Sequence, residues 1–407
     1  MTNYQLYAFH NEGNIRSELG KADYSYWFVL KYFQALIPKF GEVEVLVDPP
    51  VRPEIIDLDS EMLFCFMPPH KIPKTAINYA IPVFAWEFDT IPDEVWLDDE
   101  RNNWYDVLRR SPGAATHCEF VAETIKKKMG DDYPIAVLTA PLWGQFSHLV
   151  NEPRHNNWEL DIEGFTADSW NPPAPKETIE KTRTKIEFSG VTYTFVFNPN
   201  DGRKQWPEAI SAFIAAHRDN PNATLILKLI QSNPVLGIQV VWETIEHLLP
   251  FSCRIVAIQS HLETRDFEQL MLGTTFALNS SSGEGQCLPL LEFMSAGVPS
   301  VAPQHTAMAD YINAENSIIV ENTRSWSSWS HDPRMLLRCF RFPIIWDSLR
   351  LAFEKSYDIA INDPTKYAEM SVAATERMKN YCSEELILEK LQTFIEEVRL
   401  RAKQFPL

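Results

Sequence analysis

The second half of the chain alternates short, apolar, β-rich runs with segments of helical period. YTFVFN (193–198) precedes a helical segment over 205–217, and ATLILKLI (223–230) precedes one over 238–249. RIVAIQ (254–259) leads to a helix near 264–272, and TFALNS (275–280) to one from about Leu288. PSVA (299–302), a short helix and SIIV (317–320) close the series. Strands apolar along their whole length, each reached across one helix, pair in parallel and are buried on both faces. The pattern predicts a doubly wound α/β domain. In the first half YQLYAFH (4–10), EVEVLVD (42–48), MLFCFM (62–67), IPVFAWEF (81–88) and YPIAVLTA (133–140) also read as strands. Between 150 and 190 the pattern lapses into polar, proline-bearing sequence, which reads as an interdomain connection. The expected division is a Rossmann-like domain with its linker over 1–185, a second such domain over 186–383, and a C-terminal helix over 384–407 returning to the first. At 407 residues the chain is long enough for two full cores.

Within the second domain, NSSSGEGQCLPLLEFMSAGVPSVA (279–302) carries Glu284 and Glu292. In doubly wound sheets ligands sit beyond the carboxyl ends of strands, and this stretch follows one. Gly283 and Gly285 let the backbone turn tightly and approach a ligand. Pro289 suits a first helical turn, so the amides around 286–290 leave a helix N-terminus, where anions are favoured. Glu284 then lies in the loop and Glu292 one turn inside the helix. Phosphate on the amides and hydroxyls on the carboxylates fit this layout, whereas hydrolytic carboxylates would have to flank a scissile bond from opposite sides.

Ser281-x-x-Glu284-Gly285, Leu288-Pro289-x-x-Glu292 and Ala296-Gly297-x-Pro299-x-x-Ala302 resemble the nucleotide-sugar site of retaining GT-B glycosyltransferases. The family in question (glycosyltransferase family 4-like, with an E-x7-E motif) includes bacterial mannosyl-, glucosyl- and N-acetylglucosaminyltransferases. The resemblance covers the second half well and the first half only by size and general pattern. It implies a GT-B fold, two Rossmann-like domains facing a cleft. It also implies sugar hydroxyls on Glu284, ribose on Glu292, and sugar and diphosphate along Gly285, Gln286, Cys287 and Leu288. Two departures stand out: Gln286-Cys287 replaces the usual aromatic-Gly, and Ser317 stands where glycine is common. Such enzymes need no protein nucleophile, because the acceptor hydroxyl attacks from the face the diphosphate leaves.

A departing diphosphate calls for preorganised positive charge. Arg203 and Lys204, just past the run at 193–198, are the candidates, with Arg203 expected bidentate to phosphate. Lys228, set in an apolar strand, is costly to bury unless it meets an anion. Ser260 and His261 end another strand, where such enzymes seat the base. A metal-dependent alternative would use D-x-D, and Asp57-Leu58-Asp59 has that form, far in sequence from the anion site. No metal or other cofactor is expected. The acceptor, a glycan or lipid-linked, belongs to the first domain, where the loop around Gly13 and the polar residues Glu87, Asp89 and His117 are candidates beside ordinary strand-end roles.

A net charge of −18 opposes broad nucleic-acid binding. Six scattered cysteines without C-x-x-C pairs read as reduced thiols, and neither signal peptide nor membrane-length apolar run is visible. The expected setting is cytoplasmic. The aromatic segment 24–40 with Lys31 and Lys39, and Lys126–Lys128, read either as a core helix with solvated lysines or as a peripheral membrane contact. The functional expectation is metal-independent, retaining sugar transfer from a nucleotide diphosphate donor in polysaccharide or surface-glycan biosynthesis. A GT-B epimerase or a non-catalytic nucleotide-sugar-binding subunit is the alternative.

Overall fold

A strand can be apolar on every side chain only if both its faces are covered, and this chain meets that condition in two separate sheets. The structure, a computed structural model, describes residues 2–13, 15, 19–21, 23–39, 41–50, 57–154, 156–174, 177–329 and 332–404. The first sheet contains β1 (Asn3–Ala8), β2 (Glu42–Leu46), β3 (Glu61–Phe66), β4 (Ala80–Phe84), β5 (Ala114–Thr116) and β6 (Ile135–Val137). Its order is β2-β1-β3-β4-β5-β6, with every pairing parallel. The helices of this half are α1 (Tyr24–Leu36), α2 (Trp104–Arg110), α3 (Glu119–Met129) and the short α4 (Trp143–Phe146).

The second sheet contains β7 (Asn157–Asp168), β8 (Lys181–Ser189), β9 (Val191–Phe197), β10 (Ala223–Leu229), β11 (Arg254–Gln259), β12 (Phe276–Leu278), β13 (Ser300–Pro303) and β14 (Ser317–Val320). Between its strands run α5 (Trp206–His217), α6 (Val240–Glu246), α7 (Thr264–Gly273) and α8 (Leu288–Ser295). The order is β14-β13-β12-β9-β10-β11-β7-β8. After β9 the chain builds outward through β10 and β11, then returns across β9 to lay down β12, β13 and β14. The order reverses between β9 and β12, so the loops leaving those two strands part over one crevice, the usual ligand position in such sheets.

Within the stretch from 150 to 190, expected as a connection, β7 and β8 instead form an antiparallel pair. β7 pairs with β11 and β8 pairs with β7. Trp158, Leu160 and Ile162 point into the core. Glu159, Asp161 and Glu163 point outward to Lys185, Arg183 and Lys181. The charged face masked a period-2 pattern. β4 also stops short of the expected run, at Phe84, because the next amide, that of Ala85, is taken by the Tyr26 hydroxyl at 3.1 Å.

After β14 come a small hairpin, β15 (Ser325–Ser328) with β16 (Arg338–Arg341), and three helices, α9 (Trp346–Asn362), α10 (Pro364–Cys382) and α11 (Glu384–Gln404). α11 packs on β6, and its ends are tied to the first sheet's surroundings by Glu384–Lys39 (2.7 Å) and by Arg399 on the carbonyl of Leu58 (3.2 Å). One apolar cluster runs from Leu6 and Phe66 through Leu291 and Phe293 of α8 to Leu391 and Phe394 of α11. The two halves therefore share core.

Candidate active site

The turn after β9 holds Arg203 and Lys204 in a single short helical turn, Gly202–Lys204, capped by Asp201. The loop after β12 lies across it: Ser282 N donates to the carbonyl of Arg203 (2.7 Å) and the Ser280 hydroxyl to that of Lys204 (2.8 Å). Lys204 Nζ meets Glu284 at 2.6 Å, and Asn279 Nδ2 donates to the same carboxylate oxygen at 3.1 Å. Arg203 grips Asp201 through Nε (3.0 Å) and Nη2 (2.6 Å). Its Nη1 donates to the carbonyl of Gly283 (3.0 Å) and pairs with Glu87 of the first half at 2.9 Å. Glu284 is 4% exposed.

Three carboxylates and two cations thus share a buried junction. Burial works against charge on each of them, and the partners decide the outcome. Lys204 and then Arg203 pull the Glu284 carboxyl below its ordinary value, and Glu284 holds Lys204 above its own. Asp201, despite burial, is drawn down to about 2 by Arg203 and Lys204. Glu87 goes the other way: burial, with Asp201 and Glu284 nearby, outweighs the pull of Arg203.

α8 begins at Leu288 behind Cys287, whose φ of 63° is a left-handed value glycine adopts more easily. Among the described residues, the amides of Gly285, Gln286, Cys287 and Leu288 have no hydrogen-bond acceptor. The Gln286 side-chain amide is buried and also unmatched there. Glu284 is fixed at both backbone groups, its N–H donating to Thr306 Oγ1 (3.0 Å) and its carbonyl accepting from Ala307 (3.1 Å). Glu292, one turn into α8, is half-buried with no hydrogen bond or ion pair among the described residues, and burial pushes its carboxyl up to about 7. It faces α1, where burial, followed by the Glu292 charge, raises the phenol of Tyr24 to about 12 and that of Tyr32 higher.

Other expected residues fall elsewhere or serve differently. Arg203 does not offer a free fork to phosphate, because Asp201 already occupies it. Gly285 lies close to protein rather than leaving room for a ligand: a Cβ there would sit 2.8 Å from both Ala85 Cβ and Trp86 N. Lys228 is buried with no anion beside it among the described residues. Its ammonium donates to the carbonyl of Leu229 (3.3 Å), and burial lowers it to about 8. Ser260 turns its hydroxyl to the carbonyl of Glu163 in the unforeseen strand β7 (2.9 Å), and His261 is exposed. Gly13 N is bound by Asn11 Oδ1 (2.9 Å), and residues 14 and 16–18 of that loop lie outside the described residues. Asp89 accepts from Phe340 N (2.8 Å), and His117 is a core imidazole on the carbonyl of Leu138 (2.8 Å), lowered by burial to about 4. Asp59 of the D-x-D is paired with Arg399 and Lys403, remote from the crevice.

Sequence reading missed Asp201, Asn279 and Thr306. The Asn-Pro-Asn-Asp-Gly turn carried a capping signal for the first. Asn279 stood at the strand end within the quoted stretch, and Thr306 had no local signal.

No protein-family model matches the chain, and no curated protein matches its sequence. Solved structures do resemble it. A glycosyltransferase from Rickettsia africae superposes with a TM-score of 0.55 at 12% identity, covering 98% of this chain and 98% of that one. Anabaena Alr3699/HepE, in complex with UDP and glucose, gives 0.54 at 12% identity, covering 97% and 99%. The pneumococcal O-GlcNAc transferase GtfA, in complex with UDP and GlcNAc, gives 0.50 at 13% identity and 83% of this chain. The chain spans 57% of the length of GtfA and 56% of that of S. aureus TarM. At such identities the likeness establishes the fold, the GT-B arrangement of two Rossmann-like domains.

Proposed function

We propose that the chain is a glycosyltransferase that moves a sugar from a nucleotide diphosphate donor to a glycan or lipid-linked acceptor, retaining the anomeric configuration and needing no metal ion. The observation that carries this reading is the run of amides from Gln286 to Leu288 that have no acceptor among the described residues, set between the clamped Glu284 and Glu292, which has no partner among those residues. Diphosphate oxygens would accept from those amides and from the remaining N–H groups of Lys204, which would stabilise the leaving group in place of a cation. Glu284, kept ionised by Lys204, would accept from sugar hydroxyls, and Glu292 from the ribose. Arg203 is then a positioning residue that fixes the loop carrying Glu284. As the bond from the anomeric carbon to the phosphate oxygen breaks, the acceptor oxygen bonds that carbon from the same face and passes its proton to the departing diphosphate. UDP and sugars, bound by GtfA and HepE, are the first donors to try, and surface-glycan assembly on the cytoplasmic side is the setting that suits such an acceptor.

The test is thermal unfolding of the full chain in EDTA with UDP-, GDP- and dTDP-sugars. Ligand at one hundred times its Kd adds about 2.7 kcal/mol of apparent stability. One nucleotide class should raise the Tm, and Glu284→Gln should abolish transfer to acceptor while leaving the nucleotide shift. No shift with any donor overturns the reading, and turnover without acceptor points to an epimerase.

A further inference from the structure

A line of aromatic rings leads from the candidate site to solvent. Phe342, just past β16, donates its amide to the carbonyl of Ser282 in the site loop (2.8 Å), and its ring stacks on His305 at 5.1 Å. His305 precedes Thr306, whose hydroxyl holds the amide of Glu284 (3.0 Å). Two residues back, Phe340 donates its amide to Asp89 (2.8 Å). Extended residues two apart share a face and stand roughly 7 Å from each other, so Phe340 continues the line that Phe342 begins. Opposite Phe340, Trp326 of β15 brings the line to the surface, where the indole is 71% exposed.

This outer ring is held in place. Its centroid lies 3.9 Å from that of Phe340, and the Arg324 guanidinium lies 3.4 Å from the same Phe340 centroid. At such distances each covers one face of Phe340, which leaves the far face of the indole to solvent. Arg324 is tied to Asp89 of the first half (3.4 Å), and Thr90 Oγ1 donates to the carbonyl of Arg338 (2.8 Å). At the base of the hairpin, Trp329 packs edge-on into Trp86, Trp96 and Trp104 of the first half. Asp89, expected on the acceptor side, thus fixes both Phe340 and Arg324.

Size and surroundings narrow the ligand. Ser328 and the exposed Arg338 share a face with Trp326 and Phe340, while Cys339 on the other face is buried. A stable protein partner needs about 800 Å² on each side, whereas one aromatic side chain offers about 150–250 Å². Met335 and Leu336, also exposed, lie four residues or more before Phe340, toward the far end of the hairpin. A run of stacked nucleobases would bring phosphates, which the net charge of −18 opposes. A pyranose matches both parts of the surface: its C–H face lies on the electron-rich face of an indole, and its hydroxyls accept from guanidinium N–H groups.

We propose that Trp326, bordered by Arg324, Ser328 and Arg338, is an outer subsite for a glycan acceptor, holding one sugar ring of a chain whose reactive end lies at Glu284. The inference rests on the transferase reading and narrows its acceptor to an oligosaccharide. It is tested by calorimetric titration of the full chain with maltohexaose, cellohexaose and chitohexaose, against glucose and N-acetylglucosamine, with and without the donor that raises the Tm. At least one hexasaccharide should bind, and the single sugars far more weakly. Trp326→Ala should weaken that binding about tenfold or more, and Trp326→Tyr should keep most of it. Neither should change the donor-induced rise in Tm. Arg338→Gln, at another exposed position, should weaken binding about threefold and decides the matter if Trp326→Ala does not fold. Failure of all three hexasaccharides to bind overturns the proposal. So does undiminished binding by a folded variant, or a wild-type dimer that Trp326→Ala dissociates. A donor shift without glycan binding strikes this inference alone. Glycan binding without any donor shift overturns the transferase reading, and with it the acceptor role.

Discussion

Glu284 and Glu292 stand in one loop and the helix it enters, and their surroundings drive their protons in opposite directions. Lys204 offsets the cost of burying Glu284, whereas Glu292 has burial and no cation among the described residues, and burial raises its carboxyl to about 7. A raised acid binds its proton more tightly when folded. Its contribution is therefore complete below the unfolded value, near 4.3, and is lost as pH climbs through about 7. Because solvent reaches part of Glu292, the loss should be nearer 1–2 kcal/mol than the full linkage value, in order of magnitude. Glu292→Gln cannot ionise. It should match the wild type at pH 4 and exceed it by about 1–2 kcal/mol at pH 8. Urea denaturation at pH 4, 6 and 8 measures this, and a difference that stays constant with pH rules it out.

Elements were legible where one signal governed a whole segment. The parallel strands from β9 to β14 were continuous apolar runs, and α8 announced its start with Leu288-Pro289 behind a glycine-bearing loop. β7 and β8 were missed because Glu159, Asp161 and Glu163 interleave with their core residues. β15 and β16 were missed because SWSS and RCFR are too short to show a period. At the site, residue types and loops were readable, but partners were not: nothing near Arg203 in sequence shows that Glu87 would reach it. The hairpin's anchor was equally hidden, since Trp329 meets its partners only after the halves assemble. Truncation there should cost about 3–5 kcal/mol if the hairpin and the core unfold together. If the hairpin opens as a unit of its own, the effect is local instead. In Trp329→Ala, amides of β15 and β16 should exchange at least about tenfold faster, with those of β9 and β10 unchanged. Equal acceleration throughout would show that the hairpin is part of the global unit.

On the scale of the whole molecule, the halves meet where the segment after β4 lies on the loop after β12. The buried Arg203–Glu87 pair, the continuous core and the return of α11 all fix that seam. Two neighbouring glycines report on it differently. A Cβ on Gly285 would meet the Cβ of Ala85 and the backbone of Trp86 at 2.8 Å, and neither can swing aside. A Cβ on Gly283 would find Glu87 at 3.5 Å, an ordinary contact. Neither glycine has a left-handed φ, so backbone strain does not confuse the comparison. Gly285→Ala must push one half off the other, costing about 1–3 kcal/mol. Gly283→Ala should be neutral or slightly stabilising, because alanine restricts the unfolded chain. If the seam also sets the place of Glu284, Gly285→Ala should shrink the donor-induced rise in Tm while Gly283→Ala preserves it. Equal stability and equal donor shifts in the two variants would mean that the halves do not meet at Gly285 in solution.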